Sequence, residues 1–278
     1  MDAIHVNWTK PFVTKTGKRY ETEDFELLTT ILSALKWREK NGRIKMITDT
    51  AGEEYYKSIG LACIWDGIET RLDDVDVNPG VFWAAGKLFA LKNETAPVAM
   101  IDTDFILWET LDENDLSDVT VIHFEELAPH IYPPREYFKM RDYVFDSEFD
   151  WTLKACNTAL CVIKNDRFLK YYTKQSIDFM RHTDEEKDYL RYMVFAEQRL
   201  IHMCAKKMGM SVSAFSDMRA LFEGREARFT HTWGMKQQMR DNDALRFDFC
   251  KRCVRRILTE YPHMEEIMRN IPCLMRYF

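Results

Sequence analysis

PVAMIDTDFILWE, residues 97–109, decides the reading of the chain: an apolar run, two aspartates one residue apart, and a second apolar run. A short unbroken apolar segment of this kind reads as a strand buried on both faces, which delivers Asp102 and Asp104 to the edge of a sheet. Carboxylates at i and i+2 converge on one hard cation if the strand breaks or bends between them. An oxygen-rich site with open positions then suits a magnesium- or manganese-bound phosphate. Asp-x-Asp also arises by chance in loops. The apolar flanks argue against chance here, because two ionised groups at the end of a buried strand are costly unless paired or coordinated. The stretch points to a metal-dependent enzyme acting on a phosphorylated or nucleotide-linked substrate.

Working outward, apolar strand-like segments alternate with longer helical ones, and no internal repeat or low-complexity linker interrupts them. Residues 3–8 read as a first strand, 23–40 as an amphipathic helix, and RIKMITD, 43–49, as a second strand ending at Thr48 and Asp49. Residues 81–93 look helical, 97–102 and 119–124 look like strands, and prolines 129, 133 and 134 mark a connection. A strand near 159–163, helices at about 166–181 and 185–208, a short strand at 227–231 and a basic helix at 242–259 follow. The alternation predicts an α/β fold with a mostly parallel sheet covered by helices.

The chain has 278 residues, 46% hydrophobic and 30% charged, an ordinary globular composition with material for a sizeable core. No run approaches the roughly 20 apolar residues of a membrane span. The opening MDAIHVNW lacks the charged and apolar regions of a signal peptide, so a cytoplasmic protein is expected. Seven cysteines, odd in number and mostly among apolar residues, suit reduced core thiols rather than a disulfide framework. Cys250 and Cys253 form a lone CxxC without a second pair or a histidine at zinc spacing. A net charge of -6 argues against general nucleic-acid binding. CKRCVRR, 250–256, is basic: either a solvated helix face or a patch for an anionic membrane surface or a phosphorylated acceptor.

Two further constellations carry chemistry. On the helix expected over 185–208, Leu190, Met193, Val194, Ile201 and Cys204 share a face, and Glu197 falls on it. A carboxylate there is either paired with an arginine in the core or a site residue, with Gln198 beside it. In FTHTWGMK, 229–236, His231 ends a strand-like segment, Gly234 permits close approach of backbone to a ligand, and Lys236 adds a cation. A lone histidine is more often structural. Beside two aspartates, a neutral imidazole can complete a manganese shell and a lysine can hold a leaving diphosphate.

Taken in order, the strand ending in TD at 49, WAAGKLFAL at 83–91, the apolar-flanked DTD, NTALCVIKN at 157–165, the EQ at 197–198 and the final HTWGMK resemble a GT-A fold glycosyltransferase. The pattern is particularly similar to bacterial nucleotide-sugar enzymes related to family 8. The resemblance implies a single GT-A-like, Rossmann-like domain with a mixed, mostly parallel central sheet flanked by helices. It would cover residues 1–240, with a nucleotide-sugar half to about 125 and an acceptor half from 126. Residues 241–278 would form a C-terminal basic helix and tail packed on the same domain. By the same resemblance Asp102, Asp104 and His231 hold a divalent cation, Mn2+ or Mg2+, that bridges the phosphates of the donor. Thr48, Asp49, Lys87, Gly234 and Lys236 fall among the donor-binding positions, Asn157 on the acceptor side, and Glu197 with Gln198 facing the reacting sugar. The chain departs from the family pattern in two places. Gly234 and Lys236 stand one residue closer together than the common HxxGxxK, and Glu197 replaces the usual Asp before Gln, which leaves retaining and inverting courses both open.

The resemblance implies transfer of a sugar from a nucleotide-diphosphate donor to a saccharide or glycolipid acceptor in cell-surface polysaccharide synthesis. The basic helix would allow peripheral contact with the inner face of the membrane. In such a reaction a metal and a lysine stabilise the leaving diphosphate, while a carboxylate such as Glu197 deprotonates an acceptor hydroxyl or stabilises the ring cation. Trp8, Trp83 and Trp233 have the size to stack on a base or sugar, with core packing the alternative for each. A haloacid-dehalogenase-type phosphatase, with Asp102 as nucleophile and the second aspartate as acid, is a competing reading. It requires the acid pair near the start of the fold. A non-catalytic nucleotide-sugar binding protein is a third.

Overall fold

The computed structural model describes residues 1–278. Nine strands form: β1 (Ala3–Asn7), β2 (Ile44–Thr48), β3 (Ile68–Thr70), β4 (Val98–Ile101), β5 (Phe105–Leu107), β6 (Val119–Glu125), β7 (Ala155–Ile163), β8 (Val212–Ala214) and β9 (Phe229–His231). Seven of them make one sheet in the order β3-β2-β1-β4-β7-β6-β8, and β5 pairs with β9 in a small second sheet. The pairs β3/β2, β2/β1, β1/β4 and β6/β8 are parallel, whereas β7 runs antiparallel to both β4 and β6. The fold is therefore mixed α/β with a mostly parallel sheet.

The continuous apolar runs follow from burial on both faces. Every residue of β4 and β7 is buried. Their side chains alternate between two cores: Val98, Met100, Cys161 and Ile163 face one, and Ala99, Ile101, Leu160 and Val162 face the other. The helices are α1 (Lys10–Thr16), α2 (Asp24–Lys40), α3 (Thr50–Ser58), α4 (Ala85–Lys92), α5 (Asp166–Arg181), α6 (Arg191–Val194), α7 (Leu200–Lys207), α8 (Met218–Phe222), α9 (Lys236–Asp241), α10 (Asp243–Glu260) and α11 (Glu265–Arg269). α4, α5, α6 and α7 fill the first core. α2, α10 and the C-terminal residues through Tyr277 fill the second, which also takes up Cys250 and Cys253.

The strand order reverses between β1 and β4, two adjacent parallel strands whose connections leave in opposite directions. The crevice beyond the carboxyl ends of such a pair is where open α/β sheets bind ligands. β1 ends at Asn7 and β4 at Ile101, so the next residues, Trp8 and Asp102, line that crevice.

One expected element, the helix over 185–208, differs in two ways that shape the site. The helix expected from 185 begins at Arg191, because the Asp188 carboxylate accepts from the backbone N–H groups of Leu190 and Arg191 and the Glu185 carboxylate from those of Lys187 and Asp188. These side-chain turns offer the backbone an alternative to helix. Between α6 and α7, Phe195–Arg199 forms a π-helical turn. Its carbonyls are met from α5, where Tyr172 donates to Glu197 O at 2.6 Å and Ser176 to Ala196 O at 2.8 Å.

Candidate active site

β4 stops at Ile101 and β5 starts at Phe105, so the acid pair sits in the break itself. The Asp102 N–H is tied to Ala159 O on β7 at 2.7 Å, and the Phe105 N–H closes a turn onto Asp102 O at 3.0 Å. β5 then pairs antiparallel with β9, with Phe105 opposite His231. That register brings the histidine, more than a hundred residues away in sequence, beside Asp104. One ligand atom from each of Asp102, Asp104 and His231 lies within 4.8 Å of the others. Thr232 secures the arrangement by donating its N–H to Asp104 O at 3.3 Å and its hydroxyl to Asp104 Oδ2 at 3.4 Å.

A buried polar chain beneath the turn holds the β5 backbone. Trp65 Nε1 donates to His5 Nδ1 at 3.1 Å, which leaves the His5 proton on Nε2 facing Ser33 Oγ at 2.9 Å. Ser33 in turn donates to Phe105 O at 2.5 Å. Complete burial lowers the His5 pKa to about 3, against a small opposing pull from Asp104, so the ring is neutral at physiological pH.

Two lysines balance the acids. Lys87, on α4, places Nζ 2.6 Å from Asp102 Oδ1 and 2.7 Å from Glu197 Oε1. Lys236, opening α9, lies 3.1 Å from Asp104 Oδ2 and 3.4 Å from Glu26 Oε1. Burial opposes the charge on Lys87, but Asp102 and Glu197 outweigh it and lift its pKa above the ordinary lysine range. Burial, then the neighbouring Asp104 and Glu197 carboxylates, lift Asp102 despite Lys87. Asp104 goes the other way: burial works against its charge, yet Lys236 and His231 hold its pKa below the usual value. Burial keeps His231 below 6.5, although both aspartates pull upward, and its imidazole is neutral at pH 7. Asp102 Oδ2 and Asp104 Oδ1 accept no hydrogen bond. Two carboxylates and a neutral imidazole with free lone pairs are a fitting donor set for a hard divalent cation.

Glu197 lies in the π-helical turn and is only 2% exposed. π turns are rare and often found at functional sites. The carboxylate is paired with a lysine, not an arginine, and Thr158 also donates to its Oε1 at 2.6 Å. Gln198, the next residue, faces a different partner: its Oε1 lies 2.6 Å from Tyr132 OH, which is also 2.6 Å from Glu125 Oε2. Asn157 donates to Glu125 Oε1 at 3.0 Å. Asn157, Gln198, Glu125 and Tyr132 thus form a second polar patch adjoining the acid pair through Thr158 and Glu197. Glu125 and Tyr132 carry no sequence signal beyond an ordinary strand end and a loop aromatic.

Other residues singled out by sequence have inward roles. Asp49 caps α3 through Gly52 N and accepts from both the N–H and the hydroxyl of Thr9, and Thr48 donates to Asn7 O at 2.6 Å. Both residues are buried and hold the loop after β1 in place. No protein atom lies within 4 Å of a Cβ built at Gly234, whereas one at Gly86 would meet Trp8 Cβ at 2.7 Å. Gly86, not Gly234, is the glycine that the packing of this cleft requires. Trp8 is buried, but Trp83 and Trp233 are 48% and 58% exposed, and Trp233 stacks on His231.

The cleft encloses about 360 Å³ between Asn7, Trp8, Trp83, Lys87, Asp102 and Lys236. Pro11, Phe12 and Trp83 form a shared wall with a neighbouring groove of about 650 Å³ that reaches Lys15, Lys187 and Tyr189.

The sequence profile of a family of unknown function, DUF6734, matches residues 1–269. The chain belongs to that family. No curated protein matches it in sequence. Among solved structures it is similar to a galactosyltransferase in complex with donor and acceptor sugar analogs, with 12% identity and a TM-score of 0.41, covering 82% of this chain and 79% of the other. It is similar to the apo form of mouse xyloside xylosyltransferase 1, with 11% identity and a TM-score of 0.40, covering 78% and 85%. A CTP:phosphocholine cytidylyltransferase from Streptococcus pneumoniae aligns at 13% identity and a TM-score of 0.40 over 83% and 92%. These are loose likenesses of layout, and the functional reading rests on the side chains of the cleft.

Proposed function

We propose that this chain is a metal-dependent glycosyltransferase that moves a sugar from a nucleotide-diphosphate sugar to a saccharide or glycolipid acceptor, in the synthesis of a cell-surface polysaccharide. The observation that carries the proposal is the convergence of Asp102, Asp104, His231, Lys87 and Lys236 at the carboxyl ends of β1 and β4. A divalent cation, Mn2+ or Mg2+, held by Asp102, Asp104 and His231, supplies charge neutralisation of the departing diphosphate. Lys236 and Lys87 are charged donors within reach of the same phosphates and strengthen their hold as negative charge grows. Glu197, with Lys87 and Thr158 on one oxygen, is placed to steady Lys87 and the positive sugar ring. Gln198, anchored by Tyr132 through its Oε1, has its amide nitrogen free for the acceptor side, with buried Asn157 steadying Glu125 behind it.

The phosphatase reading needs the second aspartate protonated as a general acid. Lys236 favours its ionised form, which disfavours that role. About a hundred residues and four sheet strands also precede the acid pair.

Product identity tests the proposal. Incubation with nucleotide sugars and Mn2+ should slowly release nucleoside diphosphate as water replaces the acceptor, and no inorganic phosphate. Release of inorganic phosphate from sugar phosphates instead would favour the phosphatase, and turnover of neither would favour a binding protein.

A further inference from the structure

Each carboxylate of the acid pair already has its own ammonium: Asp102 has Lys87 at 2.6 Å and Asp104 has Lys236 at 3.1 Å. Glu197 and Glu26 are the second partners of those lysines and hold them from behind, at 2.7 and 3.4 Å. Both lysines are therefore built into the fold rather than loosely placed. Lys87 is anchored by a carboxylate in a π-helical turn that is itself bonded to Thr158 and Tyr172, and Lys236 by its position at the start of α9.

We propose that Lys87 and Lys236 act as internal counter-cations that keep the Asp102–Asp104–His231 site weak for a divalent cation alone and make its binding conditional on a diphosphate. The inference rests on the reading of this cleft as a cation and diphosphate site, and adds an order to it. A divalent ion entering by itself meets two fixed positive charges beside its own ligands, in a half-buried setting where screening is poor. A diphosphate reverses that balance. Its oxygens accept from both ammonium groups, which turn from the carboxylates to the phosphates, while the freed carboxylate charge and the phosphate oxygens together face the metal. Metal and diphosphate then favour each other's binding by the same factor, as linkage requires. The cleft would thereby avoid holding idle metal and would assemble its charge only around a loaded donor.

The test uses Mn2+ alone, followed by the electron paramagnetic resonance signal of the free ion in titrations of the full-length protein. Lys236 is about a third exposed, and Arg240 also contacts Glu26, so Lys236→Met removes one counter-cation, keeps Glu26 paired and leaves the Asp104 carboxylate open to the metal. This variant is expected to bind Mn2+ at least about tenfold more tightly than wild type with no nucleotide present. The gain should vanish when Asp104→Asn is added. A second variant, Lys87→Met combined with Glu197→Gln, removes the other lysine together with its buried partner and is expected to act in the same direction. Equal Mn2+ affinity in wild type and Lys236→Met, whether tight or undetectable, overturns the proposal, as does a gain that survives Asp104→Asn. Because no nucleotide enters the assay, this failure is distinct from a failure of the glycosyltransferase reading, which is decided by nucleotide binding and product.

Discussion

Lys87 and Glu197 stand 110 residues apart in sequence and 2.7 Å apart in space, and the same Nζ reaches Asp102 at 2.6 Å. One ammonium therefore joins the end of β4 to the π-helical turn between α6 and α7. The two halves of the site are positioned against each other by charge as well as by packing.

Removing only one member of this group leaves a buried charge without its partner. Lys87→Met is expected to destabilise the protein by about 3 kcal/mol, a fall in melting temperature of roughly 6–12 °C. Lys87→Met with Glu197→Gln should recover a third or more of that loss, because only Asp102 then lacks its ammonium while the more deeply buried Glu197 charge is gone. Calorimetry of wild type, Lys87→Met, Glu197→Gln and the double variant closes the cycle, and additive effects would show that the pair is not coupled.

His5 makes stability depend on pH. Its pKa falls from 6.5 in the unfolded chain to about 3 in the fold, so the unfolded state binds the proton more readily. The contribution is full above pH 6.5 and is lost as pH falls through that window, by up to about 1.4 kcal/mol per unit. His5→Gln, which keeps a donor toward Ser33, should flatten the decline in melting temperature between pH 7 and pH 5. An unchanged slope in the variant would contradict the assignment.

Gly86→Ala places a methyl group 2.7 Å from Trp8 Cβ and 3.1 Å from Leu72 Cδ1. The expected cost is about 1–3 kcal/mol, with the loop after β1 displaced into the cleft. Denaturant titration and nucleotide affinity, measured together, should both worsen. A variant as stable as wild type would show that α4 has room to retreat.

At the C-terminal end, Lys251 and Arg255 line a groove of about 320 Å³ with Phe278 and have no carboxylate partner, and Met275 is 64% exposed nearby. No helix is long and apolar enough to cross a membrane. If the acceptor is a glycolipid, this face would meet anionic lipid. Co-sedimentation with phosphatidylglycerol vesicles, weakened several-fold by Lys251→Glu with Arg255→Glu and absent with phosphatidylcholine, is the expected result.

Much of the sheet could be read from sequence because β4 and β7 are buried on both faces and so unbroken in their apolar character. Asp102 and Asp104 were conspicuous for the same reason, as charges ending such a run. What escaped notice depends on tertiary contact. β5 is only three residues long, yet its pairing with β9 is what sets His231 beside Asp104. The Lys87–Glu197 pair, the His5–Ser33–Trp65 chain and the Glu125–Tyr132–Gln198 patch join residues with no fixed spacing. Gly86 sits inside a helix, where nothing in the sequence shows that Trp8 lies against it. The late start of the helix at Arg191 reflects Asp188 and Glu185, whose side chains compete locally for backbone N–H groups in a way that apolar periodicity does not register.

The central claim is that Asp102, Asp104 and His231 bind a divalent cation together with a nucleotide diphosphate. The most direct measurement is a thermal-shift panel of nucleoside diphosphates and nucleotide sugars, with and without Mn2+, on wild type, Asp102→Asn and Asp104→Asn. One nucleotide class at about a hundred times its dissociation constant should raise the wild-type melting temperature by about 5 °C only when Mn2+ is present. Both variants should remain folded and show no shift. A shift that is independent of Mn2+, or one that persists in both variants, would contradict the account.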